Sequence, residues 1–341
     1  MTSKLKALIP ISSARELPLA EPAEVLSIST GIFLVELAAV LKAFENTHEF
    51  VFVTPDGKTP QLDINGMGLS FHAIEKIGNA YASTALEQHR KSFDVDRFRS
   101  RRASLVARRE EELRLLERHL GRLPVSENLP NTDKEAAAFR GELVERLSRL
   151  EEKNFLSFQE LVRRHRAPDD PFTFADFGFV HAPGGHAPMV DFRDNPWFGE
   201  ILHLARENNV LTSLICHAPV ALTSTSQRID EQGWARPVAG NPFQGAKVAV
   251  AGKLGEKLML KRGYPSVPGR RTRLTYFVED ALEEAGFKIA GTINPSSVKL
   301  SYDPALGLLT GNGPQAVDQQ AQRIRSLLAD RRTVSRAAKH A

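Results

Sequence analysis

The spacing of apolar residues changes period along the chain, and the changes divide it into blocks. Near the start, 24-EVLSIST-30, the helically spaced 31-GIFLVELAAVLKAFENT-47 and the alternating 49-EFVFVTPDG-57 predict strand, helix, strand, closed by an Asp-Gly turn. From about residue 172 that grammar returns. The strand 174-FADFGFVHAPGG-185, a helix around 197-WFGEILHLARENN-209, the strand 210-VLTSLI-215, a further helix and the strand 245-GAKVAVAG-252 follow in order. Strands alternating with helices predict a mostly parallel, doubly wound sheet. A different text lies between the two blocks. Leu105, Leu113, Leu116 and Leu120 make one helical stripe and Leu143, Leu147 and Leu150 another, on a background of Arg and Glu, joined at 124-PVSENLPN-131. This reads as an inserted helical hairpin that packs on itself or on a partner subunit. The chain accordingly divides into a first α/β part (1–86), a charged α-helical insertion (87–170), a second α/β part (171–328) and a basic tail (329–341) whose composition predicts disorder.

Composition narrows the class. Of 341 residues, 42% are hydrophobic, enough for one large core and an appended subdomain. No apolar run approaches the roughly 20 residues of a membrane span, and the N-terminus lacks a secretory apolar region. A single cysteine forms no internal disulfide, so a reducing cytoplasm is the expected location and no membrane partner is expected. The balance of 45 Lys+Arg against 41 Asp+Glu leaves +4, with both signs interleaved, and no nucleic-acid partner is expected.

That cysteine, Cys216, sits where the run 210–215 ends and helix-compatible residues begin, in 210-VLTSLICHAPVAL-222. A side chain at such a strand-to-helix turn projects from the carboxyl end of the sheet, where open α/β sheets place their sites. The helix start and His217 beside it predict a lowered thiol pKa. A second strand ends in 183-PGGH-186, where Gly184 and Gly185 let backbone amides approach a ligand, as an oxyanion demands, with His186 as a substrate contact. The amides of Gly185 and His217 are the candidate oxyanion donors. His181, His186, Cys216 and His217 show no metal-ligand spacing, so no metal and no cofactor are expected. The string 311-GNGPQA-316 reads as a turn and helix start, not as a dinucleotide loop. Trp197 and Trp234 read as packing residues.

PGGHAPMVDF followed by ICHAPVAL resembles the DJ-1/PfpI superfamily and, within it, the Hsp31-like branch, with its PGGHG-type loop and CHGP-type elbow. The resemblance extends to 29-STGIFLVELAAVLKAF-44, 52-FVTPDGKTPQLD-63, 245-GAKVAVAGKLGEKLMLKRGYP-265, 275-TYFVEDALEEAGFKI-289 and 309-LTGNGPQA-316, leaving out the helical insertion. It implies a flavodoxin-like fold with a nucleophile elbow. It also implies Glu36 as a carboxylate near the cysteine and Glu256 as the acidic partner of His217. Two departures stand out. Ala218 replaces the usual glycine of the elbow, predicting a slightly narrowed pocket, and Leu214 and Ala218 disfavour glutamine amidotransfer.

The resemblance implies a cofactor-free, glutathione-independent glyoxalase of the D-lactate dehydratase type. Cys216 would add to methylglyoxal as a hemithioacetal, and Glu36 with His217 would move protons through an enediol. Removal of glycation adducts from proteins would use the same residues. The rival readings are an Hsp31-like holdase for unfolded proteins in stress response and a cysteine redox sensor. A homodimer is the expected assembly.

Overall fold

The computed structural model of the protein describes residues 4–72, 87, 88, 90–262, 264–292, 294 and 297–339, with side chains described to residue 331 in the last helix. Its centre is a seven-stranded sheet of β1 (Leu5–Pro10), β2 (His48–Thr54), β3 (Leu156–Ser157), β4 (Phe177–Ala182), β5 (Leu211–Ile215), β6 (Leu300–Asp303) and β7 (Leu308–Gly311). The spatial order is β6-β7-β5-β4-β1-β2-β3, with every neighbouring pair parallel except β6 and β7. The predicted mixed, mostly parallel α/β architecture is present. Its middle strands are buried on both faces: Ala7, Leu8 and Ile9 of β1 and Phe179, Val180, His181 and Ala182 of β4 are all fully buried. Strands covered on both sides need no alternation, so they read as continuous apolar runs.

Six helices are used below: α1 (Leu34–Phe44), α2 (Ala103–Leu120), α3 (Lys134–Ser148), α4 (Pro196–Glu207), α5 (Lys253–Arg262) and α6 (Val317–Lys339). The first is apolar almost all round, burying Leu34, Val35, Leu37, Val40 and Leu41 between the sheet, α2 and α6. A helix this apolar is buried around most of its circumference. Glu36, in the first turn, is buried with these apolar residues, whereas Lys42 in the last turn reaches solvent beside Glu111. Among the described residues no helix is long and apolar enough to cross a membrane.

Several sequence expectations are corrected here. The first strand of the sheet is Leu5–Pro10, while 24–30 contributes only Ser27–Ser29 to a small separate sheet and leaves Leu26 81% exposed. The stretch 245–252 likewise gives only Lys247–Val248, paired outside the central sheet with Lys288–Ile289. In both places a short apolar run lacks two strand neighbours to bury it. Residues 218–226 form a 3₁₀ helix, not an α-helix. Trp234 is 65% exposed on a hairpin and packs little. With no Pro or Gly from Val317 onward, α6 continues to Lys339 across the stretch whose composition predicts disorder.

The charged helices face each other, through Arg109 to Glu135 and Arg146 to Glu110 and Glu117, and also pack on the α/β core. Leu113, Leu116, Leu120, Leu143 and Leu147 join one hydrophobic cluster with Ile9, Leu37 and Leu41, so α2 lies directly on α1. Most of the two leucine stripes is therefore inside, with Leu105 and Leu150 half-buried. The segment also supplies β3 to the sheet edge, and Val125 bridges in parallel to Leu62. Its ionic residues are organised as well. Arg109 is 3% exposed and grips Glu135, itself 0% exposed, with two bonds of 2.7 and 2.8 Å, while donating to the Met67 carbonyl at 3.0 Å.

Two outcomes follow. Deleting 87–167 uncovers α1, so the deleted chain is expected to lose cooperative urea unfolding, and a sharp two-state transition would show that the helices are dispensable. Arg109→Met leaves the Glu135 charge buried with Arg99 as its remaining partner, and about 3–5 kcal/mol of stability should be lost in urea titrations. By contrast Arg122→Gln, at an exposed pair with Glu152, should cost under about 1 kcal/mol.

Candidate active site

The sulfur sits where backbone geometry is least ordinary. Cys216 ends β5 with φ of +63°, a left-handed conformation for a residue bearing a Cβ, and its amide donates to the Gly311 carbonyl at 2.9 Å while its carbonyl accepts from Ala251. Strain of this kind, of order 1–3 kcal/mol, persists only where neighbours hold it. The turn thrusts the side chain above the carboxyl edge of the sheet.

The loop after β4 comes up beside it. A Cβ on Gly184 would lie 2.6 Å from Cys216 Cβ and 2.8 Å from Glu36 Oε2, and Gly185 has φ of +87° with the Gly31 carbonyl 2.4 Å from where its Cβ would be. Only glycine fits at either place. The amide of Gly184 donates to Glu36 Oε2 at 2.8 Å, and the Gly185 amide faces the sulfur.

Glu36 stands in the first turn of α1, wholly buried, with Oε1 lacking any hydrogen-bond partner among the described residues. Burial pushes its carboxyl up to about 7, against the hydrogen bonds from Cys216 and Gly184. His181 holds the helix from behind, its Nε2 3.0 Å from the Glu36 carbonyl and its Nδ1 3.1 Å from Ser213 Oγ. It is a buried neutral imidazole, lowered to about 4 by burial.

His217 reaches both ways. Its Nδ1 is 3.2 Å from Cys216 Sγ, and its Nε2 is 3.4 Å from Glu256 Oε2 without the alignment of a hydrogen bond. Glu256, in the first turn of α5, gives the same oxygen to His186 Nε2 at 3.2 Å. The two imidazoles lie 4.4 Å apart, centroid to centroid. Burial opposes ionising Glu256, but the two imidazoles outweigh it and hold the carboxyl below its usual range. Burial likewise lowers His217, whereas at His186 the pull of Glu256 overcomes burial and raises it. Of the two rings, His186 carries the proton more readily.

The structure thus brings together Cys216, His217, Glu36, Glu256, Gly184, Gly185 and His186. Three expectations change. Burial, and then the Glu36 charge, push the Cys216 thiol well above its ordinary value, opposite to the lowered pKa expected at a helix start. Ala218 is fully buried in the main hydrophobic cluster, so its methyl packs into the core. His186 turns its ring to Glu256 instead of standing free as a substrate contact.

Two participants were missed. Tyr264 Oη is 3.2 Å from His186 Nδ1 and donates at 2.7 Å to Asp63 Oδ2. Asp63 is fully buried and capped by Asn65 and Thr30. A polar chain therefore runs from Asp63 through Tyr264, His186, Glu256 and His217 to the sulfur. The only sequence signal is an aspartate before Asn-Gly and a Tyr-Pro after a helix, both of which read as turns.

No family model matches the chain. By sequence it is similar to the protein/nucleic acid deglycase HchA of Staphylococcus aureus, strain JH9, with 26% identity over 192 residues, 56% of either chain. The same match recurs for the protein of strain Newman, again 26% over 192 residues. The chain spans about half the length of the curated relatives it matches. In fold it is similar to the rapid encystment protein of 24 kDa from Francisella tularensis, with a TM-score of 0.50, 16% identity, and coverage of 95% of this chain and 99% of that one. With the elbow, the Pro-Gly-Gly-His loop and the buried glutamate in one place, the chain is similar in sequence to that deglycase and in fold to that encystment protein.

Proposed function

We propose that the protein is a cysteine-dependent enzyme of small reactive carbonyls, converting methylglyoxal and similar 2-oxoaldehydes to 2-hydroxy acids without glutathione. The observation that carries this reading is the placing of Cys216 between His217 Nδ1 and the raised carboxyl of Glu36. A thiol flanked by a proton acceptor and a carboxyl that titrates about neutrality has what carbonyl addition and proton transfer require.

In this mechanism the sulfur adds to the aldehyde carbon, and the thiol proton passes through His217 to the carbonyl oxygen, giving a hemithioacetal. Amides of Gly185 and His217 face the developing charge. The Glu36 carboxylate then takes the proton from C1, with Oε1 the unpartnered oxygen left to receive it, and the C2 oxygen is protonated to give an enediol. Return of that proton to C2, with loss of the C1 hydroxyl proton, leaves the thioester of a 2-hydroxy acid. Water cleaves the thioester and restores the thiol. The sum is aldehyde plus water, with no redox partner. Glu256 stabilises the transient imidazolium of His217.

The deglycase name of the Staphylococcus aureus relative favours a second reading, in which the same thiol attacks early carbonyl adducts on amines. Adducts on nucleic acids come within that chemistry, which departs from the expectation drawn from the charge balance. Release of the amine from such adducts faster than free methylglyoxal is consumed would select it.

Purified protein with methylglyoxal and no added thiol should turn over. Cys216→Ser should abolish this, and Glu36→Gln should reduce it on the order of a hundredfold or more while leaving the thiol open to iodoacetamide. Retained turnover in Cys216→Ser would sink the reading.

The pH dependence has two signs. Because carbon deprotonation needs ionised Glu36, kcat/KM should rise with pH through about 7, and Glu36→Gln should lack that limb. For stability the sign is reversed. The folded-state value of Glu36 lies above the ordinary 4.5, so its contribution is fully present below that value and is lost as pH rises through about 7. Denaturation midpoints between pH 5 and 8 should fall more steeply for wild type than for Glu36→Gln. Iodoacetamide labelling of the substrate-free enzyme should rise only above the ordinary thiol pKa, and Glu36→Gln should shift that rise to lower pH.

A further inference from the structure

The two imidazoles that share Glu256 present an arrangement that the proposed reaction does not need in full. Both hold their Nδ1 atoms outward, His217 to the Cys216 sulfur at 3.2 Å and His186 to Tyr264 Oη at 3.2 Å. Both direct Nε2 to one carboxylate oxygen, at 3.2 and 3.4 Å. His217 Nε2 has no hydrogen-bond partner among the described residues although its side chain is only 5% exposed. The donor atoms of His186, His217 and Glu256 all lie within 4.8 Å of one another.

We propose that His186 Nε2, His217 Nε2 and Glu256 Oε2 form a binding site for a divalent zinc-class cation, and that its occupancy switches the Cys216 site off. Zinc bonds of about 2.0–2.1 Å at tetrahedral angles space their donors about 3.4 Å apart. The two nitrogen-to-oxygen edges are already at that spacing. Two imidazoles and one carboxylate suit zinc by donor chemistry and leave a fourth position open. The surroundings also match what metal-bound histidines require, because an imidazole ligand is normally oriented by an oxygen at its other nitrogen. For His186 that oxygen is Tyr264 Oη, itself bonded to buried Asp63 at 2.7 Å. Assembled from the loop after β4, the turn after β5 and the first turn of α5, the trio has no short spacing by which sequence could announce it.

The consequence follows from the ring. With an ion on Nε2, His217 can no longer accept the thiol proton at Nδ1 and become an imidazolium stabilised by Glu256. Cation binding itself does not depend on the enzymatic reading; the inhibition does.

The test is calorimetric titration of the metal-stripped full chain with zinc chloride, together with visible absorption after cobalt(II) addition. One ion per chain is expected, with the intense ligand-field bands of tetrahedral cobalt. His186→Ala and Glu256→Gln should each weaken binding by on the order of a hundredfold, and Tyr264→Phe by roughly tenfold. Cys216→Ser should leave the affinity unchanged, since sulfur is not a donor. His186→Asn is the second variant should the alanine fail to fold. Absence of a one-ion site, full affinity in both His186 variants, or loss of binding in Cys216→Ser would overturn the proposal. One equivalent of zinc should also stop methylglyoxal turnover, with recovery on chelation. If zinc binds as described and no turnover exists to inhibit, the enzymatic reading fails while the cation site stands.

Discussion

Everything at the carboxyl edge of the sheet is arranged about a carboxyl group denied water. Glu36 is buried completely in the apolar first turn of its helix, and hydrogen bonds from Cys216 and the Gly184 amide are its main compensation. A lone carboxylate in such a place is costly, so the group is held near its neutral form. The same burial raises the adjacent thiol. Two acids side by side in a low-dielectric site cannot both ionise, and they titrate as a pair. The glycine pair, the left-handed cysteine and the neutral His181 behind α1 all serve to let that carboxyl and the sulfur approach each other.

On the other side of the sulfur the polarity is reversed. Glu256 is ionised because two imidazoles face it, and it determines which of them is protonated. The site thus contains one carboxyl pushed up and another pushed down, separated by the cysteine. Groups whose environments drive their pKa values apart are those able to exchange protons in a set direction. His186, held by Tyr264 and Asp63, keeps the lower half of this arrangement rigid.

The fold and most of the site were readable in sequence wherever the signal is local. Cys216-His217 after an aliphatic run and Pro-Gly-Gly-His after another each announce a strand end, because the steric demand on the turn selects the residues. Glu36 is legible as a charge set among apolar residues in the first turn of a helix. Asp63 and Tyr264 were not, since they meet across 201 positions and each alone is an ordinary turn residue. The thiol pKa was misjudged for a related reason: a helix start is visible in sequence, but the depth at which it is buried is not. Leu5–Pro10 was passed over because a six-residue strand covered on both faces lacks any period, whereas 24–30 looked more strand-like and found no room in the sheet.

The strand-like crossing at Leu62 has a consequence for how the molecule opens. Leu62 donates to the Pro124 carbonyl and accepts from Ser126, whose hydroxyl in turn receives the Ile64 amide. Asp63 is thereby stitched to the joint between the two long charged helices. Backbone amides in such a stitch exchange with solvent only when both sides separate. The protection of the Leu62 and Ile64 amides is therefore set by the helical segment, while the Asp63 amide between them bonds to Ile32, and the carboxyl edge of the sheet and the helices form a single unit of local unfolding, although a sequence boundary divides them.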